Sequence, residues 1–187
     1  MKYTNSLAED FCQPAIGCTD YRNFMDGLLH IVANEPIANR LGDRIQDYAL
    51  DFVRHHSLDS FNRFSPDSYV RNYLGRDPEA HWEALVMSWQ KGNRTAIHAH
   101  PQFAGYTFAH GEFLIEIFEP VPEGIRLKQE YVIKDIRGFY AIGDPGRFDN
   151  HIHRITCLSE TGHSLHIYSD DALKGLKIPE SQITEIS

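Results

Sequence analysis

The stretch Gly92-Asn93-Arg94-Thr95-Ala96-Ile97-His98-Ala99-His100, followed eleven residues later by Gly111 ahead of the run EFLIEIFEP, decides how the rest of the chain is read. Side chains on a β-strand alternate between faces, so His98 and His100 project the same way and can present two imidazoles to one metal. An HxH pair also arises by chance on surface strands, so the pair alone does not make a site. The further constraint lies downstream, where HIHRITCL carries His151 and His153 after the turn Asp144-Pro145-Gly146. Either can add a third imidazole. His153 is preferred because it lies in the β-branched run before Ile155.

Outward from that stretch, the chain from about Ser68 reads as short β-rich runs separated by Gly, Pro, Asn and Asp turns: SYVRNYL, HWEALVMSW, TAIHAH, GYTFAH, EFLIEIFEP, IRLKQEYVIKD, GFYAIG, HIHRITCL and SLHIYS. Eight or nine closely spaced strands imply an antiparallel sandwich or barrel. Two or three helices precede them: Phe24, Leu28, Leu29 and Val32 recur at helical spacing, as do Ile45, Ala49, Phe52 and Val53 after an expected cap at Asp43. The final LKIPESQITEIS reads as an edge strand or a tail. There is no repeat and no Pro/Gly/Ser linker. One domain over residues 1–187 is therefore expected, with a helical part at 1–66 packed on a β-barrel at 67–187.

Composition narrows the function. With 18 Lys+Arg against 26 Asp+Glu the formal charge is −8, and the eleven histidines are largely neutral at pH 7, which argues against nucleic acid as a partner. No apolar run approaches the roughly 18 residues that span a bilayer, and the first residues lack a signal-type apolar segment, so a cytoplasmic protein without a membrane partner is expected. Cys12, Cys18 and Cys157 have no CxxC spacing and suit reduced thiols.

With its Gly, five residues, HxH and a later Gly, the chain resembles the cupin superfamily, which implies a jelly-roll β-barrel. The usual Glu ligand of that motif falls here on Ala104 or Gly105, neither of which coordinates, so the resemblance implies a three-histidine site of His98, His100 and His153. Within the superfamily this looks like the thiol dioxygenases, cysteine dioxygenase in particular. Tyr69-Val-Arg71-Asn72 is similar to that family's YxRN, and Ser164-Leu-His166-Ile-Tyr168-Ser169 to its SLHxYS. The resemblance covers about Tyr69 to Ser169.

What the resemblance implies is Fe(II) on three imidazoles, a small thiol and O2 as reaction partners, and L-cysteine converted to cysteine sulfinate. Arg71 would clamp the substrate carboxylate and Tyr69 would share its face. Ser164, His166 and Tyr168, two apart on one strand, would hydrogen-bond in series and place the phenol as a catalytic group. Lying on that face, His166 is the rival of His153 as third ligand. Relatives that act on 3-mercaptopropionate typically lack the Arg, and a non-catalytic metal-binding cupin would need the histidines alone. Animal cysteine dioxygenases carry a crosslinking Cys at the position of Ala104 or Gly105, and the family often has a Pro pair where this chain has Asp170-Asp171. His30, His55, His56, His81, His110 and His163 read as surface or core residues.

Overall fold

The computed structural model describes residues 19–33 and 35–184. Cys12 and Cys18 lie outside the described residues; Cys157 is a free, buried thiol. Helix α1 (Thr19–Val32) turns Phe24, Leu28 and Val32 inward, and α2 (Asn39–His55) does the same with Leu41, Ile45, Ala49, Phe52 and Val53. These are the stripes that 3.6-residue periodicity marks. Leu28 is fully buried, so Leu28→Ala costs about 2–5 kcal/mol.

Helix α2 begins earlier than expected. Its N-cap is Ala38, in an extended conformation, and Asp43 lies inside the helix. Tertiary contact explains the difference: the Tyr140 hydroxyl donates to Asp43 at 2.6 Å and to the Asn39 carbonyl at 3.1 Å. Gly42 permits that approach, since a Cβ there would sit 2.3 Å from the Tyr140 ring.

Ten strands follow: β1 (Val70–Arg76), β2 (Glu83–Gln90), β3 (Ile97–His100), β4 (Phe103–His110), β5 (Phe113–Val121), β6 (Gly124–Ile133), β7 (Arg137–Ile142), β8 (Asn150–Cys157), β9 (Thr161–Tyr168) and β10 (Lys177–Ile178). They form two five-stranded sheets, ordered β1-β2-β9-β4-β7 and β10-β3-β8-β5-β6, and every ladder is antiparallel. From β2 to β9 the chain crosses between the sheets in the order that makes a jelly roll. Among the described residues no ladder joins the two sheets, so the expected barrel is a two-sheet jelly roll open at its seams.

The helices cover the outer face of the first sheet. Ala84, Val86, Phe103, Leu165 and Ile167 pack with them, while Leu85, Met87, Trp89, Tyr106, Phe108 and Tyr168 point between the sheets. Strand β2 is thus covered on both sides, which is why HWEALVMSW is apolar almost throughout rather than alternating. Gln46 crosses the helix interface to donate to Thr107 Oγ1 at 2.8 Å, so the polar pair buried there is satisfied.

The C-terminal segment adds an edge strand. Strand β10 pairs Lys177 with His98 and Ile178 with Ile97, so β3 is flanked on both sides. Glu180 holds the segment down through Arg94 at 2.7 Å and Arg154 at 3.1 Å, and Arg154 is itself paired with Glu116.

Candidate metal centre

Strands β3 and β8 bring three imidazoles together. His98 and His153 are direct Cα partners, and a register shift then places His100 opposite Asn150. One ligand nitrogen from each of His98, His100 and His153 lies within 4.8 Å of the other two. His100 Nε2 and His153 Nε2 are 3.0 Å apart. Two nitrogens bound to one metal at about 2.1 Å and at right angles stand about 3.0 Å apart, so the pair has the spacing of adjacent ligands. The Nδ1–H of His98 donates to the Ala96 carbonyl at 2.9 Å, which leaves its Nε2 lone pair for a metal.

His151 does not join the group. Its φ of 54° places it in the left-handed region, so strand alternation fails there and His151 and His153 do not share a face. Its ring is instead held by the main chain of Ile142. His166 is likewise outside the three-histidine group.

Burial sets the charge state. It lowers the pKa of His98 to about 4 and those of His100 and His153 well below the ordinary value, with the neighbouring imidazoles adding to it. All three are therefore neutral near pH 7, the form that binds a metal. No carboxylate belongs to the group. Of the two residues expected at the position of a Glu ligand, Ala104 is fully buried and is the Cα partner of Tyr168, and Gly105 is the partner of Ile167. The Ala104 methyl can neither ligate nor crosslink.

Above the histidines runs a hydrogen-bonded series. Trp89 Nε1 donates to Ser164 Oγ at 2.9 Å, Ser164 Oγ is 2.7 Å from His166 Nε2, and His166 Nδ1 is 2.8 Å from the Tyr168 hydroxyl. The indole can only donate, so Ser164 Oγ accepts there, and its second lone pair leaves two tautomers of His166 compatible with the series: one takes the Ser164 proton at Nε2 and gives Nδ1–H to the Tyr168 oxygen, the other gives Nε2–H to Ser164 and takes the Tyr168 proton at Nδ1. Burial, reinforced by Arg71, brings the His166 pKa to about 3, so this imidazole is neutral. The Tyr168 ring stacks on His100, with centroids 5.2 Å apart and planes at 5°. Burial raises its pKa far above the ordinary phenol value, so it keeps its proton.

The first strand completes the wall. Arg71 lies with its guanidinium over the Tyr73 ring, 5.4 Å from the centroid, and Tyr69 packs on Trp89 at 4.7 Å. Asn72, the last residue of YxRN, is structural: it donates to the Val86 carbonyl and Ser88 Oγ and ties β1 to β2. Asp170 and Asp171 form a capped turn after β9. Asp171 accepts from Leu173 N at 2.9 Å, Arg76 pairs with both acids, and Ala172 N donates to Glu83 Oε1.

A second signal marks the same place. The buried side-chain polar atoms without a hydrogen-bond partner among the described residues are Arg71 Nε and Nη2, Glu83 Oε2, His100 Nδ1, Tyr106 Oη and His151 Nε2. Folded proteins satisfy most such atoms, and these all belong to residues in or beside the histidine group. Two of these residues, Glu83 and Tyr106, escape the motif reading, and so does the contact that Trp89 makes. Glu83, Tyr106 and Trp89 look like core positions in sequence, and only the cross-strand register brings them to the site: Glu83 pairs with Tyr168, Tyr106 with His166, and Trp89 reaches Ser164. His56, His110 and His163 lie elsewhere, around a cavity of about 390 Å³ beside the end of α2.

No family model and no curated protein sequence matches the chain. Among solved structures it is similar to a cupin superfamily protein from Desulfitobacterium hafniense, at 15% identity over 61% of this chain and 88% of that one, with a TM-score of 0.47. It is also similar to a conserved protein with a double-stranded β-helix domain from Klebsiella pneumoniae, at 17% identity over 68% and 98%, with a TM-score of 0.48. An oxalate oxidase structure matches at 13% identity over 57% and 53%, with a TM-score of 0.45. No helix among the described residues is long and apolar enough to cross a membrane.

Proposed function

We propose that the protein is a non-haem Fe(II) thiol dioxygenase that converts L-cysteine and O2 to cysteine sulfinate. The observation that carries this reading is the pairing of a neutral three-histidine group, free of any carboxylate, with the phenol of Tyr168 stacked on one of its members. Three neutral ligands leave the full +2 charge of a bound cation uncompensated, which favours an anionic ligand such as a thiolate. Bound there, Fe(II) would supply the redox chemistry that joins both atoms of dioxygen to the substrate sulfur, so that R–SH and O2 balance R–SO2H.

The remaining residues bind and orient. Arg71 Nε and Nη2, both unpartnered, form one edge of the guanidinium, the edge that grips a carboxylate through two parallel hydrogen bonds. The guanidinium lies over the Tyr73 ring, and Tyr69 packs on Trp89. Trp89, Ser164 and His166 hold the Tyr168 hydroxyl in one position and tie it to a series through which its proton can be exchanged. His100 and His153 are buried between the sheets, and exclusion of water there would suit clean oxidation of sulfur.

Oxygen consumption by anaerobically Fe(II)-loaded protein tests the reading, with L-cysteine, 3-mercaptopropionate and cysteamine added separately. Rapid uptake with cysteine, and little with cysteamine, which lacks the carboxylate, supports it. Preference for 3-mercaptopropionate reassigns the substrate, and silence with every thiol in the presence of bound iron leaves a non-catalytic metal-binding cupin.

A further inference from the structure

Tyr106 carries a hydroxyl that nothing in the fold uses. The residue is 1% exposed and its Oη has no hydrogen-bond partner among the described residues. A buried hydroxyl without a partner costs about 1–3 kcal/mol, whereas a phenyl ring in the same place would pack against Phe139, at 4.9 Å between centroids, without that cost. Its surroundings are not ordinary core. The ring stands edge-on to His100 at 5.7 Å and 81°, lies 4.9 Å from His153, and meets His166 at 5.3 Å and 84°.

Neighbouring groups leave it no partner. Tyr106 is the Cα partner of His166, yet both nitrogens of that imidazole are engaged, by Ser164 and Tyr168. His100 Nε2 and His153 Nε2 face each other, and His100 Nδ1 is itself unpartnered. The Tyr168 phenol, 6.3 Å away between ring centroids, is hydrogen-bonded to His166. The Tyr106 ring thus stands among the candidate ligands, while its hydroxyl belongs to none of their hydrogen bonds.

We propose that Tyr106 is a positioning residue of the metal centre, whose hydroxyl hydrogen-bonds an oxygen atom brought in with the cation, in the first instance a water ligand. This rests on the three-histidine group binding a metal and not on the identity of the thiol. Two tyrosines then serve the centre from one sheet: Tyr168, held in the Trp89–Ser164–His166 series, and Tyr106 with a hydroxyl free to rotate, able to donate or accept as the ligand requires. Its isolation in the metal-free fold is the stability given up for that role.

The test is Tyr106→Phe, an isosteric change that keeps the ring packing. Melting temperature and affinity are measured with anaerobic Fe(II) and with Co(II), which does not turn over. Without metal, Y106F is expected to melt at or above the wild-type temperature. With metal, its affinity is expected to fall by roughly tenfold to a hundredfold, the usual loss when an outer partner of a metal site is removed, and its metal-induced rise in melting temperature to shrink accordingly. Equal affinity in wild type and Y106F would overturn the proposal and leave Tyr106 as packing. Failure of the wild type to bind either cation would overturn the proposal and the metal reading together, whereas lack of thiol oxidation with normal metal binding would leave Tyr106 standing and remove only the substrate.

Discussion

His100 Nε2 and His153 Nε2, 53 positions apart in the chain, lie 3.0 Å from each other. Two buried, neutral imidazoles at that spacing share either a proton or a cation. The third imidazole, from His98, and the absence of a carboxylate in the group favour the cation. The antiparallel pairing of β3 with β8 produces this convergence, so the ligand set is a property of the ladder rather than of a mobile loop.

Removal of one ligand tests the assignment of the third imidazole. His153→Ala is expected to weaken binding of Fe(II) or Co(II) by well over a hundredfold, whereas His151→Ala retains binding within a few fold, because only His153 belongs to the group. Titration calorimetry on the two variants checks both, and the reverse pattern would move the site to His151.

Arg71→Ala is expected to raise the KM for carboxylate-bearing thiols by about tenfold or more, the worth of a charge-assisted fork, while kcat changes less. Activity on cysteamine, whatever its level, should not respond. Steady-state kinetics with both thiols measures the difference, and an unchanged KM for cysteine would remove Arg71 as the clamp.

Tyr168→Phe is expected to lower turnover on the order of a hundredfold with metal content intact. Ser164→Ala should produce a smaller loss, since it removes the partner of His166 Nε2 and leaves the Trp89 N–H unpaired without removing the phenol. Wild-type turnover in Tyr168→Phe, with metal bound, would take the series out of the chemistry.

Acid should unfold the metal-free protein early. Burial depresses the pKa of His98 to about 4 and of His166 to about 3, and those of His100 and His153 also fall well below the usual value. The unfolded chain therefore takes up protons first, near pH 6.5, so stability is fully present above about pH 6.5 and is lost as pH falls towards 4. Each buried histidine contributes up to about 1.4 kcal/mol per pH unit in that window. Urea melts at pH 7, 6 and 5 are expected to show steep loss, partly reversed by excess divalent metal at pH 6; equal stability at pH 7 and pH 5 would contradict the burial of these rings.

Much of this was legible in the chain itself. The nine β-rich runs correspond to β1–β9, and the alternation of His98 with His100 and of Ser164 with His166 and Tyr168 survives into three dimensions because these segments are regular strands. Alternation misleads where the backbone departs from extension. His151, two residues before His153, has a positive φ and stays outside the ligand group, and no side-chain pattern announces such a residue. The start of α2 at Asn39 depends on Tyr140, about a hundred positions downstream, so a local capping signal at Asp43 could not report it. Trp89, Tyr106 and Glu83 were hidden for another reason: in sequence an inward aromatic or an acid in an apolar run reads as packing, and only strand register shows which polar atoms it brings to the site.

The central claim, oxidation of a thiol at the three-histidine centre, is tested most directly by turnover of L-cysteine under isotopically heavy dioxygen, with mass analysis of the product. The account predicts cysteine sulfinate carrying both heavy oxygen atoms, formed one for one with the dioxygen consumed. Absence of sulfinate from iron-loaded protein, or sulfinate whose oxygen comes from water, would contradict it.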